Sequence, residues 1–420
     1  MVKAQIVIVG AGPTGAALAR LLAQRQIRVT LIEASRDFRR IFRGQALMPS
    51  GLEAIAQMGL SSAVETIPQM QLDAWEFWIE GKRLFRVDEP ILDPASASSK
   101  RPCTLVSQPE FLAALVQQAE VCPGFDFVQG KAVQSLMWEQ GRVTGVRLAD
   151  GQAIAADLVI ATDGRNSTLR AKAGLRLQEQ SPAVDILWFS LKGAPPLRDE
   201  NVLRANVLRA NVFYAVVKNG QSFGLFRSAQ GDLQLGWGLN PSASGDWQRE
   251  NWPKVLAEHS PAWLANYFRA NANVLSSPVR FSVTVGLAPR WSVPGLLLLG
   301  DAAHPMSPIR AQGINMALRD AIVAANHLVP LGQSELSGAA LHRALDQALG
   351  AIQAEREPEI VQSQALQAEE WAQGEKLRRY PILRWGASQF APLVGWGVRR
   401  AWLQRQQQLR LGVAPVEIKV

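Results

Sequence analysis

Three groups of residues in this 420-residue chain have the types and spacing that ligand chemistry requires. Near the N-terminus, Gly10, Gly12 and Gly15 form a Gly-x-Gly-x-x-Gly turn, and Glu33 follows eighteen residues after the last glycine. Such a turn brings backbone N–H groups close to a pyrophosphate, while the acid binds the ribose hydroxyls of an adenine dinucleotide. Because an acid at the ribose disfavours a 2′-phosphate, the pattern favours NAD or FAD over NADP at this site.

The second group is Asp163-Gly164, followed by Ser167 and Arg170 in the pattern Asp-Gly-x-x-Ser-x-x-Arg. It comes directly after a buried apolar strand, which suits a ligand-binding loop. The residues alone are equally compatible with a plain turn, in which Ser167 caps a helix and Arg170 lies on the surface. Both interpretations stay open at this point.

The third group lies in the stretch Leu296 to Ala321, where a buried strand ends and a helix begins. Four leucines predict a strand buried on both faces, and Asp301 follows at the strand end where parallel sheets bind ligands. Pro308 lies in the next turn, and Gly313 begins a helical run whose N-terminus carries about half a positive charge. Such a helix end favours a ligand that becomes anionic or has electron-rich carbonyls. The alternative is a strand, a turn and a surface helix without a ligand.

The elements that must position these groups are predicted to form an α/β fold. A strand at residues 4–9, a helix at Ala16–Gln26 and a strand at Arg28–Ile32 surround the glycine turn. Three further strands, Phe125–Gln129, Ala132–Trp138 and Val143–Leu148, are expected to form an antiparallel meander. Alternating strands between residues 183 and 239 predict a second, antiparallel sheet, and long helices follow Ser337.

The composition is that of an ordinary globular protein of two or three domains, with 48% hydrophobic and 19% charged residues. No stretch approaches the roughly 20 apolar residues that span a bilayer, and the N-terminus leads into a strand rather than a signal peptide. Two cysteines give neither zinc spacing nor a disulfide framework, which predicts a reducing cytoplasm. The four histidines are scattered, so no metal site is expected.

The formal charge of +8 is concentrated at the C-terminus. From Lys376 onward nine Lys or Arg accompany one acid, Glu417, so the preceding residues are formally neutral and nucleic-acid binding is not expected. Tryptophan and arginine residues are interleaved there: Trp385, Trp396 and Trp402 with Arg384, Arg399, Arg400 and Arg405. This composition predicts peripheral docking on an anionic membrane surface. The alternative is a pair of helices packed over the first domain, with the arginines solvated or paired to glutamates.

Taken together, the order and spacing of the three groups resemble the single-component class A flavoprotein monooxygenases, the group of para-hydroxybenzoate hydroxylase. The resemblance covers roughly residues 4–330. It implies a Rossmann-type FAD-binding domain interrupted by an antiparallel β-sheet substrate domain, with C-terminal helices. The expected division is 1–72, 101–180 and 276–335 for the FAD-binding domain, 73–100 and 181–275 for the substrate domain, and 336–420 for the helices.

By position, the resemblance also implies which residues contact FAD. The glycine turn and Glu33 would hold the ADP half, Arg43 would lie near FAD and Gln108 at the flavin chain. Asp163 matches a motif that the family links to both FAD and NAD(P)H, and Asp301 matches the aspartate on the ribityl chain. The helix from Gly313 would face the flavin N1 and C2 carbonyl. The whole expected set is Gly10, Gly12, Gly15, Glu33, Arg43, Gln108, Asp163, Gly300, Asp301, Pro308, Gly313, Ile314 and Asn315.

Two positions depart from the family pattern. Ala311 replaces the first glycine of a Gly-Gln-Gly segment, which is a small change. Arg310 puts a long cation where a small residue is usual; it would contact a substrate carboxylate or a peroxide, but a side chain facing solvent is favoured. The chemistry needs no side-chain nucleophile, so no catalytic acid or base is assigned. Arg310 and Tyr214 are the candidates, with core packing favoured for Tyr214.

The resemblance implies an NAD(P)H-driven, FAD-dependent monooxygenase that hydroxylates an aromatic or quinoid substrate, including lipophilic, prenylated ones. Because only one dinucleotide fingerprint is present, NAD(P)H would bind transiently, reduce FAD and leave. Reduced flavin and oxygen would then give a C4a-hydroperoxide, which the protein must shield from water. Two alternatives stay open: a FAD-dependent reductase of isoprenoid double bonds, like the geranylgeranyl reductases, and a FAD-binding accessory protein without turnover.

Overall fold

A computed structural model describes residues 4–39, 45–92, 100–180, 184–195, 211–239 and 247–420 of the chain. In chain order its strands are β1 (Gln5–Val9), β2 (Arg28–Glu33), β3 (Ala46–Leu47), β4 (Gln69–Gln71), β5 (Ala74–Ile79), β6 (Lys82–Asp88), β7 (Thr104–Val106), β8 (Phe125–Gln129), β9 (Val133–Glu139), β10 (Arg142–Leu148), β11 (Ala153–Ala155), β12 (Leu158–Ala161), β13 (Gln178–Glu179), β14 (Val184–Leu191), β15 (Val212–Lys218), β16 (Gln221–Arg227), β17 (Leu233–Gly238), β18 (Val279–Val283), β19 (Gly286–Leu287), β20 (Ser292–Val293) and β21 (Leu296–Leu298). Its helices are α1 (Pro13–Gln24), α2 (Pro49–Gln57), α3 (Ser61–Glu65), α4 (Gln108–Glu120), α5 (Thr168–Lys172), α6 (Trp252–Glu258), α7 (Ala262–Ala270), α8 (Gln312–Gly332), α9 (Gly338–Arg379), α10 (Pro381–Gln389) and α11 (Ala391–Leu411).

A six-stranded sheet carries the glycine turn and the predicted strand end. Its order is β20-β21-β12-β1-β2-β8, and only β20 runs antiparallel to its neighbour. The apolar strands β1, β12 and β21 are buried on both faces, as expected for parallel strands covered by helices. Helix α1 packs against α4 and α8, and all three contribute to the same hydrophobic core. The predicted α/β class with a Rossmann-type domain is thereby confirmed.

The predicted meander is wrong in one strand. Phe125–Gln129 (β8) pairs in parallel with β2 and becomes an edge of the six-stranded sheet. The three-stranded antiparallel sheet consists instead of β9, β10 and β11, because Ala153–Ala155 supplies the third strand. An apolar strand pattern does not specify which neighbour a strand chooses.

The second sheet has seven strands in the order β18-β14-β17-β16-β15-β5-β6, antiparallel except for the β15–β5 pair. Alternate side chains of its strands enter two separate hydrophobic clusters, which reflects the two-residue period of a strand. One cluster joins Tyr214 and Val216 to helices α6 and α7. The other joins Phe213 and Trp75 to Trp402 of helix α11. The sheet is therefore covered on both faces.

Strand β18 changes where the second domain ends. The sequence placed residues 276–335 in the FAD-binding domain, but Val279–Val283 pairs with β14 in the seven-stranded sheet. Strands from residues 74–88 lie in the same sheet. We keep the three-part division as a proposal, with the second unit extended to Val283.

The C-terminal part of the chain is helical, as predicted. The 42-residue helix α9 packs against α8, while α10 and α11 form a hairpin that contacts strand β6. No helix in the described part of the chain is both long enough and apolar enough to cross a bilayer.

Candidate functional site

The glycine turn after β1 is built by close backbone contacts. Gly10 has a φ of +105°, and a Cβ there would lie 2.4 Å from the carbonyl oxygen of Thr162. A Cβ on Gly15 would lie 2.0 Å from the carbonyl oxygen of Gly10. Both positions therefore require glycine for the turn and for helix α1 to approach the strands.

Gly12 is different, because the space around it is open. A Cβ on Gly12 would meet only the carbonyl oxygen of Thr162, at 4.0 Å. Gly12 borders a cleft of about 750 Å³ that is lined mainly by the segments that follow strands β1, β2, β12 and β21. An open Cβ position on a cleft at the start of helix α1 is what close approach of a pyrophosphate needs.

Glu33 lies at the end of β2 and is buried at the same cleft. Its Oε2 accepts a hydrogen bond from the N–H of Ala11 (2.9 Å), and its Oε1 accepts one from the N–H of Ser35 (2.8 Å). The carboxylate thus also holds the glycine turn against the second strand, in addition to its expected contact with a ribose.

We expect Glu33→Ala to weaken FAD binding by about tenfold to a hundredfold. Hydrogen bonds to a charged group contribute about 1.5–3 kcal/mol each, and the substitution also frees the N–H of Ala11 in the glycine turn. Glu33→Gln retains an acceptor for one of these N–H groups and should lose less. Fluorescence titration of the apoprotein with FAD measures both; equal affinities for wild type and Glu33→Ala would contradict this role.

The Asp-Gly loop combines the two interpretations of its motif. Asp163 lines the cleft, and its carboxylate accepts hydrogen bonds from the Ser167 hydroxyl (2.5 Å) and the Leu169 N–H (3.1 Å). Ser167 caps helix α5, as the turn interpretation predicts. Arg170 is only partly exposed, and its guanidinium donates to the carbonyl oxygen of Ala302 (2.8 Å). The motif therefore ties the Asp-Gly loop to the turn that carries Asp301.

The strand end after β21 forms the opposite wall of the cleft. Asp301 lies in a 3-10 turn, Gly300–Ala302, and borders the cleft together with Pro308, Gly313 and Ile314. Helix α8 begins at Gln312, so its N-terminus faces the cleft with its unpaired N–H groups, as predicted. Gly300 contributes by close approach, because a Cβ there would lie 2.4 Å from the Thr14 hydroxyl.

Asn315 does not line the cleft, although the resemblance placed it in the FAD set. It is fully buried, and among the described residues its side chain bonds to backbone groups. Its Oδ1 accepts from the N–H of Met48 (2.9 Å), and its Nδ2 donates to the carbonyl oxygens of Ala46 (3.2 Å) and Ala311 (2.7 Å). Asn315 therefore fixes the start of helix α8 against strand β3.

Gln108 supplies a test of whether the cleft fits FAD. It lies at the start of helix α4, is buried and lines the cleft, and its Oε1 has no hydrogen-bond partner among the described residues. A buried polar atom without a partner is costly unless a ligand or water satisfies it. Together with Gly12 and the α8 N-terminus, this acceptor fits a bound dinucleotide. Arg43, the remaining member of the expected set, lies outside the described residues.

A buried ionic network behind the strand end was missed by the sequence analysis. Asp320 of α8 is fully buried; its Oδ2 accepts from the N–H of Gly300 (3.1 Å) and pairs with His304 Nε2 (2.8 Å), and its Oδ1 accepts from Arg356 (2.8 Å). Arg356 also contacts Glu359, which Arg319 pairs at 2.7 Å. The network joins α8, α9 and the turn that positions Asp301. A charged pair, Arg319-Asp320, inside an apolar helical run was the available signal.

The two carboxylates of this network are held in their charged form. Burial opposes ionisation of Asp320, but the charges and hydrogen bonds of His304 and Arg356 hold the pKa of its carboxyl below its usual value. Glu359 is also buried, and Arg356 and Arg319 lower its pKa in the same way.

The expectation that Arg310 faces solvent is wrong. Its side chain is buried, and its guanidinium lies about 5 Å from the rings of Trp75 (5.0 Å) and Trp402 (4.9 Å). It also forms an ion pair with Glu370 of α9. The charge is therefore compensated by aromatic faces and a carboxylate, although the buried Nε has no hydrogen-bond partner among the described residues. Arg310 thus belongs to the packing between the turn before α8 and the C-terminal helices.

Tyr214 lies on the face of the seven-stranded sheet that helices α6 and α7 cover. Its ring packs against Trp263 with centroids 5.3 Å apart. Its neighbour in the strand, Phe213, points to the opposite face, toward Trp75. The favoured interpretation of Tyr214 as a core residue agrees with this placement.

Comparison with known proteins places these features in context. A family model described as "FAD binding domain" matches residues 3–350. The 6-methylpretetramide 4-monooxygenase of Streptomyces rimosus is 31% identical over 339 residues, which cover 76% of this chain and 73% of the relative. The 3-demethoxyubiquinol 3-hydroxylase of Escherichia coli is 25% identical over 75% of this chain and 77% of its own length.

Solved structures share the fold. The structure of PqsL of P. aeruginosa in complex with 2-aminobenzoylacetate superimposes with a TM-score of 0.69 at 20% identity, covering 86% of this chain and 95% of PqsL.

Proposed function

This chain belongs to the FAD binding domain family, and from that premise we propose that it hydroxylates an aromatic or quinoid substrate. It is a FAD-dependent oxidoreductase of the aromatic monooxygenase group, for which NAD(P)H is the typical reductant. The FAD contacts that we propose are those that border the cleft: Gly10, Gly12, Glu33, Gln108, Asp163, Asp301, Pro308, Gly313 and Ile314. Gly15 and Gly300 allow the close packing that positions these residues, and Asn315 fixes the start of helix α8 by hydrogen bonds.

The observation that carries the substrate class is the 31% identity with a named monooxygenase over 76% of this chain, and an aromatic cluster of the core lies next to the cleft wall. Ala311 borders the cleft, and the preceding residue, Arg310, packs on the ring of Trp75. Trp75 contacts Phe213 with centroids 5.0 Å apart, and Phe213 stacks on Phe226 at 5.9 Å. These rings pack against one another, against Arg310 and against Trp402, so they form an apolar wall beside the cleft.

The chain's own groups then act by binding and orientation. The N-terminus of α8 stabilises negative charge at the cleft wall, because its first N–H groups are unpaired within the helix. The buried network around Asp320 keeps the turn with Asp301 in place. The covered aromatic face excludes water from the substrate side. When bound, FAD supplies the oxygen-activating chemistry expected from the sequence.

The Escherichia coli relative, named as a ubiquinol hydroxylase, supports a quinol or quinone ring as one substrate class. The Streptomyces relative, named as a pretetramide monooxygenase, supports a polycyclic aromatic one. Both are activated rings that accept an electrophilic oxygen. We therefore propose aromatic and quinoid rings as the substrate class, including lipophilic, prenylated compounds. Peripheral contact with a membrane, expected from the basic C-terminal segment, is a separate proposal about a different surface. The cytoplasmic location stays a prediction.

The experiment is a screen of phenols and quinones for stimulation of NADH and NADPH oxidation, with oxygen uptake recorded in parallel. Catalase is added to detect hydrogen peroxide, which separates hydroxylation from unproductive oxygen reduction. A hydroxylase shows ligand-stimulated oxidation that consumes oxygen without peroxide. An isoprenoid reductase oxidises NAD(P)H without oxygen uptake, and an accessory protein shows no reduction of bound FAD with any ligand. Either of the last two results contradicts the proposal.

A further inference from the structure

The hairpin of helices α10 and α11 carries a group of exposed apolar side chains, which we call the apolar crest. Four of its side chains are largely solvent-exposed: Ile382 (82%), Leu393 (78%), Trp396 (67%) and Trp385 (61%). The full crest comprises Tyr380, Ile382, Leu383, Trp385, Phe390, Leu393, Val394 and Trp396. Eight large apolar side chains within 17 residues exceed the scattered exposure that is normal for a protein surface.

The crest is not a loosely packed part of the core, because the opposite side of the hairpin packs tightly against the seven-stranded sheet. A Cβ on Gly395 would lie 2.1 Å from the carbonyl oxygen of Leu84, so α11 approaches strand β6 as closely as glycine allows. Arg384 forms an ion pair with Glu80 (2.6 Å), and Trp402 is buried among Trp75 and Phe85. The crest therefore belongs to a rigid element and faces away from its docking side.

The structure divides the basic segment into two sets of residues. Arg384, Arg410 and Trp402, which the sequence counted toward membrane docking, face inward; Arg410 pairs with the buried Glu89. For these residues the packed-helix alternative was right. Four exposed cations lie on either side of the crest in the sequence: Lys376, Arg379, Arg399 and Arg400. The guanidinium of Arg400 lies 5.8 Å from the ring of Trp396. No acidic residue occurs between Lys376 and Val416.

We propose that the apolar crest docks on the surface of a bilayer that contains anionic lipid. Trp and Tyr favour the interfacial layer of a membrane, aliphatic side chains enter the acyl boundary, and flanking cations pair with lipid phosphates. A second copy of this chain is a poorer occupant. In a self-complementary interface through the crest the cationic segments of both copies would face each other, and these segments have no acid between Lys376 and Val416 to pair the exposed arginines.

Helix α11 also links the crest to the substrate side of the molecule. Its first turns carry Leu393 and Trp396, whereas Trp402 contacts the guanidinium of Arg310 at 4.9 Å. Near the end of α11, the carbonyl oxygen of Leu409 accepts a hydrogen bond from the side chain of Gln312 (2.7 Å), the first residue of α8. A bilayer at the crest would therefore lie along the helix that covers the aromatic face. This inference assigns the proposed membrane contact to specific residues, and it does not depend on the proposed hydroxylation.

The test is co-sedimentation of the full-length holoprotein with vesicles of phosphatidylcholine, with and without phosphatidylglycerol, at low and high salt. We expect binding to the anionic vesicles that falls as salt rises. Trp385→Ser combined with Trp396→Ser should reduce the affinity by roughly tenfold or more, because both rings leave the interfacial layer. Arg399→Glu combined with Arg400→Glu should reduce it at least as much, since each basic residue contributes about fivefold.

Two variants on the three-stranded sheet of β9, β10 and β11 serve as matched controls. Trp138 is an exposed tryptophan (47%) on β9, and Arg147 is an exposed arginine on β10. Trp138→Ser and Arg147→Glu should sediment like wild type. The flavin absorbance of every variant reports that it is folded and loaded.

Three results would overturn the inference. The first is a wild-type protein that stays in the supernatant with anionic vesicles at low salt. The second is binding of the crest variants that is as strong as that of the controls. The third is a dimer, seen by analytical ultracentrifugation, that the crest variants abolish while no protein binds to vesicles. That result would identify a second copy of the chain as the occupant of the crest. None of these results affects oxygen-dependent NAD(P)H oxidation, so failure of the docking is distinguishable from failure of the proposed reaction.

Discussion

Gly12→Ala should give a folded protein that no longer holds FAD, whereas Gly15→Ala should damage the fold itself. The Gly12 backbone has a φ of −72°, which alanine adopts freely, and an added Cβ meets protein only at 4.0 Å. That Cβ would occupy the space of the pyrophosphate and separate it from the N–H groups of the turn. Losing one or two hydrogen bonds to a charged group, at about 1.5–3 kcal/mol each, lowers FAD affinity by about a hundredfold.

At Gly15 the same methyl group has no room. It would lie 2.0 Å from the carbonyl oxygen of Gly10 and 2.5 Å from the hydroxyl of Thr162. Helix α1 would have to move away from the strands, and overpacking of this kind costs about 1–3 kcal/mol or more. Thermal unfolding of the apoproteins separates the two effects. A Gly12→Ala protein that is purified yellow with wild-type affinity would show that the cofactor does not lie against this turn.

The largest stability effect is expected at Asp320. Asp320→Asn removes one of the two carboxylates that compensate Arg356 and Arg319 in a fully buried site. Breaking a buried ion pair by removing one partner typically costs about 3–5 kcal/mol, because the remaining charge stays buried without compensation. It also weakens the acceptor for the N–H of Gly300, so FAD should be released at a lower temperature. Urea unfolding followed by flavin and tryptophan fluorescence measures both changes.

A surface pair provides the matched control. Glu355 pairs with His327 at 2.8 Å, but both side chains are partly exposed. Glu355→Gln should leave unfolding nearly unchanged, because solvent screens such pairs. Equal unfolding midpoints for Asp320→Asn and Glu355→Gln would contradict a structural role for the network.

The effect of Asp320 should also depend on pH in a defined direction. Its pKa is lower in the folded protein than the usual value of about 3.9, so its carboxylate contributes stability that is fully present above that value. The contribution is lost as the pH falls through the lowered pKa. The part of the difference between wild type and Asp320→Asn that comes from the Asp320 carboxylate should therefore shrink only below about pH 4. A difference that already disappears near pH 6 would contradict the lowered pKa.

Local patterns were sufficient for the glycine turn and its acid. Gly10, Gly15 and Glu33 act within one strand-turn-helix-strand unit, so their spacing alone determines which backbone groups meet. The strand end with Asp301 was predictable for the same reason, because a buried apolar run leads straight into it.

Long-range packing was not predictable from such patterns. Arg310 was expected in solvent, but three aromatic rings and Glu370 reach it from segments far apart in the sequence. Asp320 and Arg356 lie on different helices, and the local pair Arg356–Glu359 does not reveal that the two helices share one network. Strand β8 had a clear strand pattern, but its partner depends on the crossover of α4 rather than on its own residues. Asn315 resembled a ligand-binding residue, yet its hydrogen bonds go to backbone groups of distant residues.

The central claim is that this chain transfers one atom of dioxygen to an aromatic or quinoid ring held beside the cleft. The most direct measurement is mass spectrometry of the product formed under ¹⁸O-labelled dioxygen from a phenol or quinone that stimulates NAD(P)H oxidation. We expect one labelled oxygen atom on the ring of the product, with none incorporated when only the water is labelled. Oxygen that comes from water, or stimulated NAD(P)H oxidation that leaves every ring unlabelled and ends in hydrogen peroxide, would contradict it.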